Sequence, residues 1–251
     1  MPRKIKTKLT VYPWFSTGKA ADPGVTLLLR KGCDLLYQGL ILEGISGTGK
    51  SAVLESLLAH SHIQNFPALS RLVLTEHHTQ RVLEILEQQE TLDSTHHISL
   101  LEDLLCFIER MQSRTSARGW NESGLQPYDL FFLMERFHLT HVFRFPDMNW
   151  NKVAHIDQRM RKIGAVLCLL TVDADILEER LFSRQNTCWL NYLKRYGETP
   201  DDVVNTFMQR QTLAVQLAEQ SCLPLIQLNS SHMSIAELTD ALVRFLLPAA
   251  G

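Results

Sequence analysis

Residues 44 to 51 read Gly-Ile-Ser-Gly-Thr-Gly-Lys-Ser, which satisfies the phosphate-binding pattern G-x-x-x-x-G-K-[ST] in full. Glycines let the backbone turn so that successive N–H groups point at one anion, and the helix that follows directs its positive dipole end there. Lys50 would add a charge for the β- and γ-phosphates, and the Ser51 hydroxyl is a hard ligand suited to Mg²⁺. The residues expected to hold the phosphates are Gly44, Ser46, Gly47, Thr48, Gly49, Lys50, Ser51 and Ala52.

Acidic residues follow two other apolar runs of the sequence. Glu135 and Arg136 come directly after "FFLM", and Glu76 follows "LVLT". A carboxylate at position 135 can reach a Mg²⁺ ion held by Ser51, and the planar guanidinium of Arg136 can clamp a transferring phosphoryl group. The alternatives are an ordinary ion pair at a strand end for Glu135–Arg136, and a solvated residue or helix cap for Glu76.

Arg180 and Arg184 lie four positions apart on one predicted helix, so their side chains face the same way. Two such arginines at the end of a helix could close over bound phosphates as a lid. The alternative is a solvated helix face on which they pair with Glu178 or Glu179.

The elements that must position these residues alternate along the chain. Continuous apolar runs are typical of strands covered on both faces, and helical patterns separate them, so we expect an α/β fold with a parallel five-stranded sheet and helices on both faces. The carboxyl ends of its strands are where a ligand would bind. The predicted strands are 39–44, 71–76, 128–135, 165–172 and 224–229; the predicted helices are 51–61, 79–90, 96–117, 151–162, 173–184, 200–220 and 234–247.

Composition narrows the class of protein. The chain has 251 residues, a hydrophobic content of 45% and a formal charge of −2, which suit one folded domain and give no indication of nucleic-acid binding. Five scattered cysteines without a C-x-x-C pair indicate reduced thiols, and no signal peptide or membrane-spanning run is found, so we expect a cytoplasmic protein that is not attached to a membrane. Residues 1–37 are expected to form an extension, either an edge strand or a tail.

These motifs, in this order, resemble those of the thymidylate kinase and deoxynucleoside kinase group. The similarity rests on the phosphate-binding loop, a Glu after the second strand, the sequence Glu135-Arg136-Phe137 with Thr140 after the third, and Arg180 and Arg184 before a lid. It covers roughly residues 38 to 230. Asn186 stands where these kinases carry a third lid arginine. The resemblance implies a P-loop NTPase fold over 38–251 with a helical lid at about 180–200.

For activity, the resemblance implies an ATP- and Mg²⁺-dependent kinase, with Mg²⁺ on Ser51 and Glu135 and with Arg136, Arg180 and Arg184 stabilising the transferring γ-phosphoryl group. Glu76 would be the base if the acceptor is a nucleoside. If the acceptor is a nucleoside monophosphate, Arg110 or Arg114 would hold its phosphate. Relatives are often homodimers through helices of the 79–117 region. Candidates for recognition of the acceptor base are Phe107, Gln112, Phe137 and His141, although Phe107 has the spacing of a core residue.

The sequence lacks the motifs of other P-loop proteins and a complete set of zinc ligands. The sequence "NKVA" lacks the acidic residue of a guanine-reading Asn-Lys-x-Asp motif, and "FFLMER" offers Arg where a motor ATPase would carry a second acidic residue. The histidine pair His138 and His141 has a spacing compatible with zinc, but no acidic residue or cysteine completes a ligand set. We therefore predict a kinase whose adenine contacts residues 229–234. The alternatives left open are a regulatory nucleotide-binding protein without phosphoryl transfer, and a kinase for a non-nucleoside small molecule.

Overall fold

A computed structural model describes residues 10–11, 25–29, 37–66, 68–116, 128–184 and 186–247 of the chain. These residues form one mixed sheet with helices on both of its faces. Within the described ranges its strands are β1 Thr10–Val11, β2 Val25–Leu29, β3 Gly39–Glu43, β4 Ala68–Leu74, β5 Tyr128–Glu135, β6 Ala165–Thr171 and β7 Leu225–Asn229.

The strand order across the sheet is β1-β2-β7-β6-β3-β5-β4. The five strands from β7 to β4 are parallel, and in chain order they run 2-3-1-4-5 across the sheet. This confirms the predicted five-stranded parallel sheet. β3 is central and buried along its whole length, as is β6, because helices cover both faces.

Two antiparallel strands extend the sheet beyond the predicted five. β2 pairs with β7, and β1 pairs with β2. β1 and β2 lie within residues 1–37, which are expected to form an edge strand or a tail. Of residues 1–37 the structure describes Thr10–Val11, Val25–Leu29 and Tyr37, and the others lie outside the described ranges.

Helices fill the connections between the parallel strands. In the described residues they are α1 Lys50–Ala59, α2 Ser61–Gln64, α3 Glu76–Thr79, α4 Glu84–Gln88, α5 Ser94–Ser116, α6 His138–Arg144, α7 Trp150–Lys162, α8 Ala174–Phe182, α9 Thr187–Leu193, α10 Pro200–Gln220 and α11 Ile235–Leu246. Each of these helices falls short of the length or the apolar character that crossing a lipid bilayer would require.

The helices differ from the predicted set at several places. The single helix expected over 79–90 is divided into α3, a 3-10 turn at Arg81–Leu83, and α4. α2 and α6 are not among the predicted helices, and α9 falls in the region expected to form the lid. Every residue of α6 from His138 to Phe143 is buried, so the helix has no solvent-facing polar stripe and lacks the amphipathic pattern by which helices are recognised.

Two hydrophobic cores lie on the two faces of the sheet. On β3, Ile41 packs into the core shared with α5, α7 and α10, whereas Leu40 and Leu42 pack into the core shared with α1 and α11. This alternation follows the two-residue period of a strand. Because these five strands are parallel, their carboxyl ends lie at a common edge, and the chain segments that leave this edge carry the candidate site.

Candidate active site

The phosphate-binding loop joins β3 to α1 at the carboxyl edge of the sheet. Gly44 has φ +140°, and a Cβ atom there would lie 2.4 Å from the carbonyl oxygen of Leu170. Gly49 caps the N-terminus of α1 in the left-handed region, with φ 86°. Glycine is the residue that adopts both conformations without strain, so this sequence can bring its backbone N–H groups around one anion.

Lys50 is buried and folds back on the loop. Its Nζ donates to the carbonyl oxygen of Ile45 at 2.7 Å, and the hydroxyl of Thr48 donates to the same oxygen at 2.9 Å. Burial, with a smaller contribution from the charge of Arg136, lowers the pKa of Lys50 to about 7. A bound polyphosphate would place negative charge beside Lys50 and stabilise the charged form of its side chain.

Ser51 and Glu135 contact each other across the edge of the sheet. The hydroxyl of Ser51 donates to Oε1 of Glu135 at 2.8 Å. A hydroxyl beside a carboxylate suits Mg²⁺, which prefers oxygen ligands and usually completes its shell with water and substrate phosphates. No group of three or more His, Cys, Asp or Glu side chains within the described ranges could hold a metal ion.

Arg136 follows Glu135 and connects the loop to the neighbouring strand. Its φ of 56° is in the left-handed region, uncommon for a residue with a side chain, and its backbone N–H donates to the carbonyl oxygen of Leu42 at 2.9 Å. Its Nε donates to Oε2 of Glu76 at 2.7 Å, and its Nη2 lies 3.4 Å from the hydroxyl of Ser46. Such strained residues concentrate at functional sites.

Glu76 begins α3, immediately after β4, and is half-buried. Its second carboxylate oxygen lies 3.8 Å from the guanidinium of Arg81. Burial alone would raise the pKa of Glu76, but the charge of Arg136 and its hydrogen bond outweigh burial, and the pKa lies below its ordinary value. Glu76 is therefore ionised at neutral pH.

Arg180 and Arg184 take up different positions. Nη1 of Arg180 donates to the hydroxyl of Ser230 at 2.8 Å and to the carbonyl oxygen of Gly47 at 3.2 Å, and Nη2 donates to the carbonyl oxygen of Ser230 at 2.8 Å. Arg184 is exposed, with its guanidinium carbon 5.1 Å from the centre of the Trp189 ring. Among the described residues neither arginine forms an ion pair with Glu178 or Glu179, the alternative considered for them.

A cavity of about 290 Å³ lies between the loop and these arginines. Its lining residues are Gly47, Thr48, Gly49, Arg180, Ser183, Arg184, Ser230 and Ile235. It reaches the segment 229–234 at which adenine is expected. Ala52, the last residue of the expected phosphate-binding set, is exposed in the first turn of α1 and is not part of this lining.

Asn186 has a structural role in the segment after Arg184. Its side-chain oxygen accepts hydrogen bonds from the backbone N–H groups of Cys188 at 2.9 Å and Trp189 at 3.4 Å, so it caps the N-terminus of α9. The position at which the resembling kinases carry a third arginine therefore contributes no positive charge.

The expectation that Arg110 or Arg114 holds an acceptor phosphate is wrong. Both are exposed near the C-terminal end of α5, where Nε2 of Gln112 donates to Oε1 of Gln38, next to the amino end of β3. The N-terminal part of α5 lies near the candidate site. With a rise of about 1.5 Å per residue, Arg110 lies roughly 20 Å along the helix from His97. The helix therefore carries these arginines, and Gln112, to the opposite edge of the sheet.

The other candidates for base recognition also lie outside the cavity. Phe137 is fully buried in the core, and His141 is fully buried. Phe107 is 48% exposed, so its assignment to the core is wrong. It lies in the 79–117 region that is expected to form a dimer interface, and the homodimer stays a prediction. The segment 117–127 lies outside the described residues.

Sequence reasoning missed Glu43, the last residue of β3. Its carboxylate is fully buried and accepts hydrogen bonds from the backbone N–H groups of Phe137 at 2.9 Å, Leu139 at 3.1 Å and Thr140 at 3.4 Å, and from the hydroxyl of Thr140. Glu43 thereby fixes the start of α6 directly after Arg136. The available signal was a charged residue at the end of an otherwise apolar strand.

Comparison with known proteins identifies the fold. The chain matches no protein-family model and no curated protein sequence. It is similar to the crystal structure of the YorR protein of Bacillus subtilis in complex with phosphorylated GDP, with 13% identity, a TM-score of 0.53, and coverage of 83% of this chain and 95% of that one. It also matches shikimate kinase from Bacteroides thetaiotaomicron, with 12% identity, a TM-score of 0.48, and coverage of 83% and 96%. The loop, the strand order 2-3-1-4-5 and the similarity to YorR show that this chain has the α/β fold of the P-loop NTPases.

Proposed function

We propose that the protein is an ATP- and Mg²⁺-dependent kinase that transfers the γ-phosphoryl group to a nucleoside or a nucleoside monophosphate. The observation that carries the proposal is the contact of Glu135 with Ser51 beside the contact of Arg136 with Glu76. Glu135 thus contacts the loop hydroxyl that would bind the metal ion. The adjacent Arg136 contacts a carboxylate outside the loop.

The residues divide the work of an in-line transfer. The loop amides and Lys50 bind the phosphates of ATP, and Ser51 and Glu135 would hold Mg²⁺, which when bound neutralises charge on the β- and γ-oxygens. Arg136 binds the oxygens of the transferring group. As the acceptor oxygen forms its bond to the γ-phosphorus, the bond from that phosphorus to the β,γ-bridging oxygen breaks and ADP leaves. Glu76 takes the proton of the acceptor hydroxyl.

Of the two acceptor classes, the contacts favour a hydroxyl and hence a nucleoside. Glu76 is an ionised carboxylate bound to the arginine that would clamp the phosphoryl group. A phosphate acceptor is already an anion and needs no base. The two arginines suggested as its ligands, Arg110 and Arg114, lie at the opposite edge of the sheet.

Two observations favour alternatives that the same experiment can test. Phe107, Gln112, Phe137 and His141 do not gather around one pocket, which favours an acceptor without a nucleobase. The capping role of Asn186 leaves the lid with less charge, which favours nucleotide binding without transfer. Both alternatives retain the phosphate-binding loop.

The decisive experiment is transfer of label from γ-³²P-ATP, with Mg²⁺, to a panel of nucleosides, nucleoside monophosphates and unrelated alcohols. Glu135→Ala serves as the blank, and Glu109→Ala, which removes a carboxylate paired with Arg159 away from the site, serves as the matched control. Labelled product from one acceptor class in the wild type and the control, but not in the blank, supports the kinase. ATP binding without any labelled product refutes it in favour of a regulatory protein.

A further inference from the structure

We propose that His141, with His97 behind it, is a positioning residue that sets the place of Glu76 relative to Glu135 by acting through Thr79. The catalytic consequence rests on the proposed function. None of these three residues touches the cavity at the phosphate-binding loop, and no part of the mechanism above uses them.

Thr79 joins the two strand ends that carry the carboxylates. It is the last residue of α3, the turn that begins with Glu76, and it is fully buried. Its hydroxyl donates to the backbone carbonyl oxygen of Glu135 at 2.6 Å. Its own carbonyl oxygen accepts a hydrogen bond from Nε2 of His141 at 2.8 Å. A shift of Thr79 would therefore move Glu76 relative to both Glu135 and Arg136.

The hydrogen bonds define the protonation state of the two histidines. A carbonyl oxygen only accepts, so Nε2 of His141 carries a proton. In a neutral ring Nδ1 of His141 is then the acceptor, and it lies 2.8 Å from Nδ1 of His97, which must donate. Both rings are buried, which disfavours a charged ring. Nε2 of His97 has no hydrogen-bond partner among the described residues, so the chain of hydrogen bonds from Thr79 ends at His97.

α3 depends on such outside contacts for its place. It has four residues, a single turn, and Thr75 at its N-terminus provides no side-chain cap. One turn is too short to be stable alone. The ion pair of Glu76 with Arg136 holds the side chain of Glu76, whereas the hydrogen bonds of Thr79 connect the turn itself to the backbone of Glu135 and to a buried ring. Those bonds therefore determine where the backbone of Glu76 lies.

Two substitutions separate the nitrogen atoms of His141. In His141→Gln the amide nitrogen can lie near the former Nε2 and still donate to Thr79. In His141→Asn the amide oxygen can lie near the former Nδ1 and accept from His97, but the side chain no longer reaches Thr79. We expect the Asn variant to lower kcat by about 100-fold with KM for ATP nearly unchanged, and the Gln variant to retain most of kcat. Thr79→Val and Thr79→Ser form a second pair, in which only Val loses the hydroxyl.

A second readout does not depend on catalysis. The carboxyl pKa of Glu76 can be measured by ¹³C NMR of glutamate-labelled protein, with Glu76→Gln to assign the signal. We expect this pKa to rise toward its ordinary value in His141→Asn and Thr79→Val, because Glu76 moves away from Arg136, and to stay low in His141→Gln and Thr79→Ser. Thermal melting of all four variants identifies any that fail to fold.

The outcomes distinguish the two levels of inference. Equal effects of Asn and Gln at position 141 on both kcat and the Glu76 pKa would show that His141 only fills space, and would overturn the proposal. Absence of turnover by the wild type with every acceptor would count against the kinase, while the pKa of Glu76 would still decide whether His141 positions it.

Discussion

Nε of Arg136 donates to Oε2 of Glu76 at 2.7 Å, although sixty positions separate the two residues in the chain. The contact keeps Glu76 ionised and directs the guanidinium toward the phosphate-binding loop, where its Nη2 lies 3.4 Å from the Ser46 hydroxyl. One arginine thus contacts both the side that would hold the donor and the carboxylate that would contact the acceptor. Loss of either partner should have a different kinetic consequence.

For Glu76→Gln we expect kcat to fall by about 10²- to 10⁴-fold, because the amide can still accept the hydrogen bond from Arg136 but cannot take a proton. The Kd for ATP should change little, since among the described residues no hydrogen bond joins Glu76 to the loop. Steady-state kinetics and equilibrium binding of ATP measure the two effects separately.

The matched control for this variant is Glu109→Gln, which neutralises a carboxylate that pairs with Arg159 away from the site and should leave both constants unchanged. Near-normal turnover of Glu76→Gln would indicate a phosphate acceptor, or show that Glu76 is a bystander.

Binding of ATP should be linked to protonation of Lys50. The pKa of Lys50 is about 7 without nucleotide, because of burial and the nearby Arg136. Phosphate oxygens favour the charged form, so binding should raise that pKa and, at about pH 8, take up close to one proton per ATP. Calorimetry in buffers of different ionisation enthalpy measures this uptake.

Lys50→Arg provides the control, because arginine stays charged throughout this range and its variant should take up no proton. An observed binding enthalpy of the wild type that is independent of the buffer at about pH 8 would contradict the low pKa of Lys50.

The sequence predicted the parallel sheet and the loop because their signals are local. The runs at 39–44 and 165–172 correspond to β3 and β6 within one residue at each end. The same reasoning identified Glu76, Glu135 and Arg136 as strand-end residues, since parallel strands end at one edge.

Features that depend on distant partners were missed or misplaced. The partners of Glu43 are backbone N–H groups more than ninety positions away, and these leave no mark on residue type. For α5, the apolar period predicts which face is buried but not which end of the helix lies near the site. Arg110 was consequently assigned to the acceptor although it lies at the opposite edge of the sheet.

A buried polar cluster around Asp157, outside the site, should determine how the free energy of unfolding changes at low pH. The Asp157 carboxylate accepts hydrogen bonds from Nε2 of His138 at 3.0 Å, from the Ser221 hydroxyl, and from the backbone N–H of Cys222 at 2.7 Å. Burial would raise the pKa of Asp157, but these bonds, led by His138, outweigh burial and lower it from 3.8 to about 2. Above pH 3.8 the stabilisation is complete. As the pH falls from there to about 2, the unfolded state binds a proton that the folded state does not, and about 2 kcal/mol is lost.

Asp157→Asn should therefore lower the free energy of unfolding by about 3 kcal/mol at neutral pH, since it removes one partner of a buried pair. Urea unfolding at neutral and acidic pH measures this loss, and the variant should lose less stability than the wild type on acidification. Asp240→Asn, whose carboxylate pairs with His60 at the surface, is the control and should cost less than about 1 kcal/mol. Equal losses in the two variants would contradict a special role for the buried cluster.

Arg180 and Arg184 should act at different stages, although both line the cavity. Arg180 is bonded to Gly47 and Ser230 before any nucleotide arrives, so Arg180→Ala should weaken ATP binding by about tenfold through loss of charge-assisted hydrogen bonds that hold the loop. Arg184 is exposed, and its guanidinium lies over the ring of Trp189. Arg184→Ala should leave the Kd for ATP nearly unchanged and lower kcat, because the guanidinium of Arg184 reaches the phosphates only when the segment closes.

The control is Arg195→Ala. Arg195 is an exposed arginine of the same segment outside the cavity lining, and its loss should change neither constant. If Arg180→Ala and Arg184→Ala lowered kcat equally with no change in ATP affinity, Arg180 would have to leave Ser230 during turnover, and its contacts to the loop would describe only the nucleotide-free state.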